Sequence, residues 1–156
     1  MEINIENSLE HFKKLVRRYY KSDLQSVIPL ILMELGFPAK LDGNDFVTTA
    51  ILFYPGTING TIPINLYEAI SQTHGGIFSK STIEKSIRKA IREAWMRRDE
   101  TMWLYYFPVL EGCSEKPPTN HEFIAEMARI MVLWKGLCQT HEYELLLQRR
   151  VGHGGR

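Results

Sequence analysis

The stretch that decides the fold is STIEKSIRKAIREAWMRRDE, residues 81–100. Apolar residues recur in it at every third or fourth position, which predicts an α-helix with one face packed on a core. That apolar face consists of Ile83, Ile87, Ala90, Ile91, Ala94 and Trp95. The opposite side carries a polar and mostly cationic row: Ser81, Lys85, Arg88, Lys89 and Arg92, with Met96 at its end. Such a row is either solvated or lies against phosphate.

Composition limits the classes of protein that fit. The chain has 156 residues, 44% hydrophobic and 24% charged, which is typical of one soluble globular domain. A net charge of +1 argues weakly against nucleic-acid binding. The distribution of charge argues the other way, because residues 80–98 hold seven basic and two acidic residues, and a second basic run lies in residues 13–21.

The sequence also indicates a compartment. Two cysteines are too few for a disulfide scaffold and suit a reducing environment. The first residues have no apolar signal core, and no apolar run reaches the roughly 18 residues that a membrane span needs. We therefore expect a cytoplasmic protein that does not bind membranes.

Helical patterns dominate the rest of the chain and strand-like alternation is nearly absent. The sequence predicts helices over about 7–19, 24–35, 42–54, 64–73, 81–98, 99–107 and 119–134, and a further one over 139–150. In domain terms, we expect an amphipathic N-terminal helix over 1–23, an all-α domain over 24–138, and a C-terminal helix with a disordered tail over 139–156. Asn7 is predicted to cap the first helix.

Residues 64–95, INLYEAISQTHGGIFSKSTIEKSIRKAIREAW, have the pattern of a helix-turn-helix. A short helix is followed by a glycine turn and a longer basic helix. In such motifs the second helix lies in the major groove and presents its N-terminal residues to the base edges. The isoleucine face then points to the body of the domain, and the cationic row points to the groove.

Three segments of the chain resemble one known family. They are ILMELGFPAKLDG at 31–43, STIEKSIRKAIREAW at 81–95 and KPPTNHEFIA at 116–125. In order and spacing they resemble the C-terminal DNA-binding effector domain of the sporulation master response regulator of endospore-forming bacteria, over about 28–134. The resemblance implies an all-α domain of about six helices with a helix-turn-helix, to which this chain adds an N-terminal helix. It also implies binding of duplex DNA at boxes resembling TGTCGAA, commonly by two domains in tandem.

Carried over by position, the recognition-helix contacts of the family fall on Ser81, Glu84, Lys85 and Arg88; Lys85 stands where the family has an arginine. The turn SQTHGGIF is about two residues longer than the family's turn. The family's phosphorylated receiver domain finds no room in this chain, so we do not expect control by phosphorylation.

Several of these candidate side chains have a second interpretation besides DNA contact. Ser81 and Glu84 either contact bases or form a capping box with no DNA involved. Lys85 either reads guanine or sits in solvent. Arg88 and Arg92 are the strongest candidates, because the guanidinium offers a planar fork to guanine or phosphate. Lys89 lies in the same row, and Arg97 can reach only the DNA backbone.

Enzyme chemistry is not indicated. Cys113, His121, Cys138 and His141 can be combined into a zinc site on paper, but no close Cys-x-x-Cys pair supports it. Neither thiol is marked as activated, and the glycines of GTING and HGG lack the context of a phosphate loop. We expect no metal, no cofactor and no catalytic residue.

These observations predict a sequence-specific transcription regulator of double-stranded DNA, acting as a homodimer or as a tandem dimer on DNA. The alternative is a protein-interaction module that has kept the fold and lost DNA binding. Such a module would oligomerise through residues 1–23 or 139–150, or antagonise a full-length relative. Exposed apolar residues in place of the cationic row would favour the alternative. The stripe of Phe12, Val16 and Tyr19 must be covered by something, and we expect residues 1–23 to contribute to self-association.

Overall fold

The structure is a computed structural model that describes residues 5–39, 42–54, 66–107 and 116–154. Over these ranges it contains helices and no strand, so the predicted all-α class is confirmed. The helices are α1 (Ile5–Tyr19), α2 (Leu24–Glu34), α3 (Asp42–Phe53), α4 (Leu66–Thr73), α5 (Lys80–Met96), α6 (Glu100–Tyr106) and α7 (Asn120–Gly154). No helix in the described ranges is long and apolar enough to cross a membrane.

Side-chain caps explain where α2 and α6 begin. The carboxylate of Asp23 accepts a hydrogen bond from the Ser26 amide at 2.9 Å at the start of α2. Asp99 does the same for the Met102 amide at the start of α6. Each cap satisfies an amide that has no partner within its helix, which fixes the boundary at the capping residue.

Helices α3 and α5 form the centre of the domain. The predicted apolar face of α5 is confirmed, since all six of its residues are buried. Gly43 allows the two helices to approach closely: a Cβ atom there would lie 2.5 Å from the Ser86 carbonyl oxygen and 2.8 Å from the Ala90 Cβ. Helices α2, α4 and α7 pack around α3, so the basic helix rests on the middle of the core.

Helix α1 is covered by its own chain. It packs on α6 and α7, with Leu15 and Val16 buried and Phe12 and Tyr19 half-buried. The apolar stripe of α1, which we expected either the domain or a second copy to cover, is therefore largely covered within the domain. The prediction that Asn7 caps this helix is wrong, because the helix already begins at Ile5 and a residue inside a helix cannot serve as its N-cap.

A polar cluster ties α1, α2 and α6 together. The Tyr106 hydroxyl donates to Glu34 Oε2 at 2.9 Å, and His11 Nε2 lies 3.1 Å from that hydroxyl and 3.3 Å from the same carboxylate oxygen. Burial alone would raise the pKa of Glu34, but the hydrogen bonds from His11 and Tyr106 outweigh it and lower the pKa below its usual value.

Helix α7 corrects the predicted C-terminal boundary. The sequence predicts a helix to about 134, a second helix over 139–150 and a disordered tail, whereas α7 runs without a break from Asn120 to Gly154. Gly136 does not end the helix, because the positive-φ glycines of the described residues are Gly36, Gly75 and Gly76. The Thr140 hydroxyl donates to the Gly136 carbonyl at 3.1 Å, as a hydroxyl inside a continuous helix does. Residues 155 and 156 lie outside the described residues.

Candidate nucleic-acid interface

The turn between α4 and α5 is held by defined contacts. Gly75 and Gly76 have φ of +77° and +71°, a conformation that favours glycine. The Gly76 amide donates to the Ser71 carbonyl at 2.8 Å, and the Ser71 hydroxyl donates to the Phe78 carbonyl at 2.6 Å. Rings of His74 and Phe78 pack edge-on against Phe46 of α3. The turn is thus anchored to the core and sets the direction in which α5 leaves it.

The start of α5 lies one residue earlier than the sequence predicts. Its N-cap is Ser79, whose hydroxyl accepts from the Thr82 amide at 3.1 Å. Ser81 lies inside the first turn and is exposed, so of the two interpretations of Ser81 and Glu84 the capping box is wrong. The reason is local: Ser79-x-x-Thr82 supplies a cap and a second hydroxyl two residues upstream, and the two hydroxyls lie 2.9 Å apart.

The outward row of α5 is exposed as expected. Ser81, Lys85, Arg88, Lys89 and Arg92 are all exposed, while Glu84 is half-buried at the edge of the row. At 1.5 Å per residue the row from Ser81 to Arg92 is about 17 Å long, enough to follow several base steps along a groove. The structure brings these residues together on one side of a single rigid element.

Ion pairs divide the cations of this surface into two groups. Arg88 is paired with Glu84, one turn earlier on the helix, and Lys80 lies 3.5 Å from Glu68 of α4. In the part of the chain that the structure describes, no ion pair involves the remaining cations: Lys85, Lys89, Arg92 and Arg97. Their charges are therefore available to an anionic partner.

The end of α5 behaves differently from its outward row. Arg97 is the C-cap, exposed and beyond the last helical turn. Arg98 turns inward, where its guanidinium lies 3.8 Å from the centre of the Trp95 ring and donates to the Trp95 carbonyl at 2.8 Å. Of these two arginines, Arg97 alone extends the cationic surface.

A cleft beside α5 was missed by reasoning from the sequence. It measures about 320 Å³ and lies between α5 and the first turn of α7; its lining includes Tyr67, Glu84, Arg88, Arg92, Pro118 and Asn120. Asn120 is nearly buried and donates to the Glu84 carbonyl at 3.1 Å and to the Tyr67 hydroxyl at 3.4 Å. Burial raises the pKa of Tyr67, which keeps this hydroxyl neutral. These contacts hold α5 in place from the side, and no local sequence pattern predicts a contact across 36 residues.

The residues weighed for a zinc site do not come together. His121 and His141 lie on one continuous helix, 20 residues or about 30 Å apart, too far to share an ion. Within the described residues no group of three or more His, Cys, Asp or Glu side chains is placed to hold a metal, and Cys113 lies outside them. Burial raises the pKa of the Cys138 thiol to about 11, the opposite of an activated nucleophile.

Three large aromatic residues, Trp103, Trp134 and Tyr106, serve packing rather than stacking on bases. Trp103 is buried, its indole N–H donates to the Leu35 carbonyl at 2.7 Å, and its ring packs against Trp95 and Phe107. Trp134 and Tyr106 are buried as well. These three rings are therefore not available to stack on bases.

Comparison with known proteins agrees with this geometry. Residues 28–131 match the family model described as the C terminal of the sporulation initiation factor Spo0A. The match runs from within α2 through α6 to the first third of α7, and so contains the whole helix-turn-helix and its cationic row. The chain therefore belongs to the family of sporulation initiation factor Spo0A C-terminal domains, a family of DNA-binding transcription regulators.

Proposed function

We propose that this protein binds double-stranded DNA in a sequence-specific manner and regulates transcription in the control of sporulation. The observation that carries the proposal is the geometry of α5: its apolar face is fully buried on the core, and its opposite face is an exposed cationic row. A helix held in this way behind a defined turn is the reading element of helix-turn-helix proteins. Family membership supports the same activity.

The residues of the row fall into two roles. We assign base contacts to Ser81, Glu84, Lys85 and Arg88, because they lie in the first half of α5, which enters the groove in this motif. The pairing of Arg88 with Glu84 orients the guanidinium, whose fork fits the O6 and N7 of guanine.

Lys89, Arg92 and Arg97 lie further along the helix and are assigned to phosphates. Contacts of this kind supply affinity and fix the position of the helix without reading sequence.

Pairing of copies belongs to the same proposal. A single helix-turn-helix reads only a short box, so two copies bound side by side gain both affinity and site length. The place of action is the cytoplasm of the bacterial cell, where the chromosome lies.

If α5 served an interaction module that has lost DNA binding, we would expect apolar residues on its outward face. That face carries four cations and only one large apolar residue, Met96. A surface with this charge is a poor core for a protein interface.

The test compares two arginine variants on two duplexes. Arg88→Ala is expected to weaken binding to a duplex with the TGTCGAA box by about 1–3 kcal/mol and to leave binding to a scrambled duplex much less affected. Arg97→Ala, the matched control, should weaken both duplexes alike, because it reaches only backbone. Fluorescence anisotropy gives the four dissociation constants. Equal losses on both duplexes for Arg88→Ala would show that it does not read bases, and absence of binding by the unaltered protein would overturn the proposed function.

A further inference from the structure

The second half of α7 carries an apolar surface that the domain leaves uncovered. Beyond residue 131, where the family match ends, five large apolar side chains are exposed on this helix: Val132, Leu133, Tyr143, Leu146 and Leu147. Val132 is 72% exposed and Tyr143 62%. So many exposed apolar residues on one helix mark an interaction surface rather than a solvated one.

The exposed positions follow the spacing of a two-helix seam. Val132, Gly136, Gln139, Tyr143 and Leu146 succeed one another at intervals of four, three, four and three residues. This is the heptad spacing by which one helix packs along another, and Leu133 and Leu147 flank the seam on one edge. We call these seven residues the α7 seam.

The body of the domain supports only part of this helix. The Tyr20 ring contacts the His141 ring, with centroids 4.7 Å apart, near the end of α1. From Glu142 to Arg150 every side chain is exposed except Leu145, which is half-buried. A helical segment of that length has little stability in water by itself, so packing against another surface is expected.

Charge and shape identify the occupant as a second copy in antiparallel orientation. Lys135 and Glu142 are exposed, lie on the same edge of the α7 seam at similar distances on either side of Gln139, and make no ion pair with the described residues. A two-fold axis near Gln139 places Lys135 opposite the second copy's Glu142, twice in each pair. A parallel arrangement places Lys135 opposite Thr140 instead, with no charge matched.

The same axis also matches a large residue with a small one. It places Tyr143 over Gly136 of the second copy, between Val132 and Gln139. A Cβ atom at Gly136 would meet nothing within 4 Å in its own chain, so internal packing does not require a glycine there. Glycine is unfavourable in a helix interior. Its presence at position 136 is explained because the missing side chain leaves room for the Tyr143 ring of the second copy.

We propose that two copies of this protein associate through the α7 seam as an antiparallel helix pair. This names a surface for the pairing of copies in the proposed function, but it does not depend on DNA, because the cationic row of α5 takes no part in it. A partner of this kind explains why the helix continues beyond the body of the domain.

The experiment is sedimentation velocity on the full chain without DNA over about a hundredfold range of concentration, since mass action shifts the population of a pair. The unaltered protein should pass from monomer to dimer. Leu146→Glu should weaken the association at least tenfold, because it places a carboxylate in an apolar contact. Met33→Glu, which changes a comparably exposed apolar residue on α2, should leave it unchanged.

Charge reversal tests the orientation. Lys135→Glu and Glu142→Lys should each weaken the dimer, and the double variant should restore it, which a folding defect would not produce. A protein that stays monomeric throughout, or single and double variants that weaken the dimer in proportion, would overturn the proposal. Binding of each variant to a duplex with one box is measured in parallel. Loss of the dimer with retained DNA binding leaves the proposed function intact. Retention of the dimer with loss of DNA binding leaves the dimer proposal intact, so the two proposals are tested separately.

Discussion

At the scale of single residues, Gly43 is the glycine whose replacement would press most closely on α5 among those that the structure describes. A methyl group there meets a backbone oxygen of α5 that cannot move without shifting the helix. Gly43→Ala should therefore lower the free energy of unfolding by about 1–3 kcal/mol, as overpacking does. Thermal or urea unfolding measures it.

Gly136→Ala is the matched control for that change. The new Cβ has open space in its own chain, and alanine is the better helix former, so at concentrations where the protein is monomeric this variant should be neutral or stabilised by up to about 1 kcal/mol. Equal destabilisation by both substitutions would contradict the close approach of α3 and α5.

The carboxylate of Glu34 gives stability a dependence on pH. Its pKa in the folded state is lowered by the hydrogen bonds of His11 and Tyr106 to below the usual 4.5. The folded state therefore binds this proton less readily than the unfolded chain, and the stabilising contribution is present above pH 4.5 and is lost as the pH falls through the folded-state value.

Glu34→Gln removes the charge while preserving the shape. The difference in stability between the unaltered protein and this variant should be largest near neutral pH and should shrink on acidification below the usual carboxyl range. Urea unfolding at a series of pH values gives the difference directly. A difference that stays constant down to acid pH would show that the charge of Glu34 contributes nothing.

At the scale of elements, α1 shows what a sequence pattern can and cannot say. The apolar stripe was readable from spacing, but not which surface covers it, because that depends on residues of α6 and α7 far along the chain. The structure places Leu15 in the core and leaves Leu9, on the same helix, 41% exposed.

Leu15→Ala should cost about 2–5 kcal/mol of unfolding free energy, because it removes a buried side chain and leaves a cavity. Leu9→Ala, the control, should change it by about 0.5 kcal/mol or less. Circular dichroism melts compare the two. Similar small effects would indicate that α1 is a loosely attached arm.

The helix-turn-helix, in contrast to the cover of α1, was predictable because its sequence signals are local. The isoleucine spacing, the glycine turn and the basic row all lie within 32 residues, and each describes the same element. The cap at Ser79 went unrecognised because two serines compete two residues apart. The continuity of α7 went unrecognised because Gly136 resembles a helix end, and only its φ angle decides otherwise.

The polar contacts around the interface could not be inferred from the sequence at all. Asn120 reaches the Glu84 carbonyl and His11 reaches Tyr106 across separations of 36 and 95 residues. No spacing rule in the sequence predicts either contact, because both depend on how the helices pack in the folded protein. The residues proposed to touch DNA were accessible to sequence reasoning, and the residues that hold them in position were not.

At the scale of the whole molecule, positive and negative charges nearly cancel, but they are distributed unevenly. A net charge of +1 conceals an α5 surface on which four cations have no ion pair among the described residues. Local fields of this kind, rather than the net charge, govern the approach of a polyanion. The proposed mode of binding should therefore depend strongly on salt.

The measurement that tests DNA binding by this surface most directly is the dissociation constant for a duplex with the TGTCGAA box as a function of salt concentration. If the three cations assigned to phosphates meet them, with a slope near −0.9 per phosphate, the affinity should fall roughly fortyfold between about 50 and 200 mM salt. Arg92→Ala should reduce the slope by about one phosphate equivalent. An affinity that does not change with salt would contradict binding of DNA through the cationic row of α5.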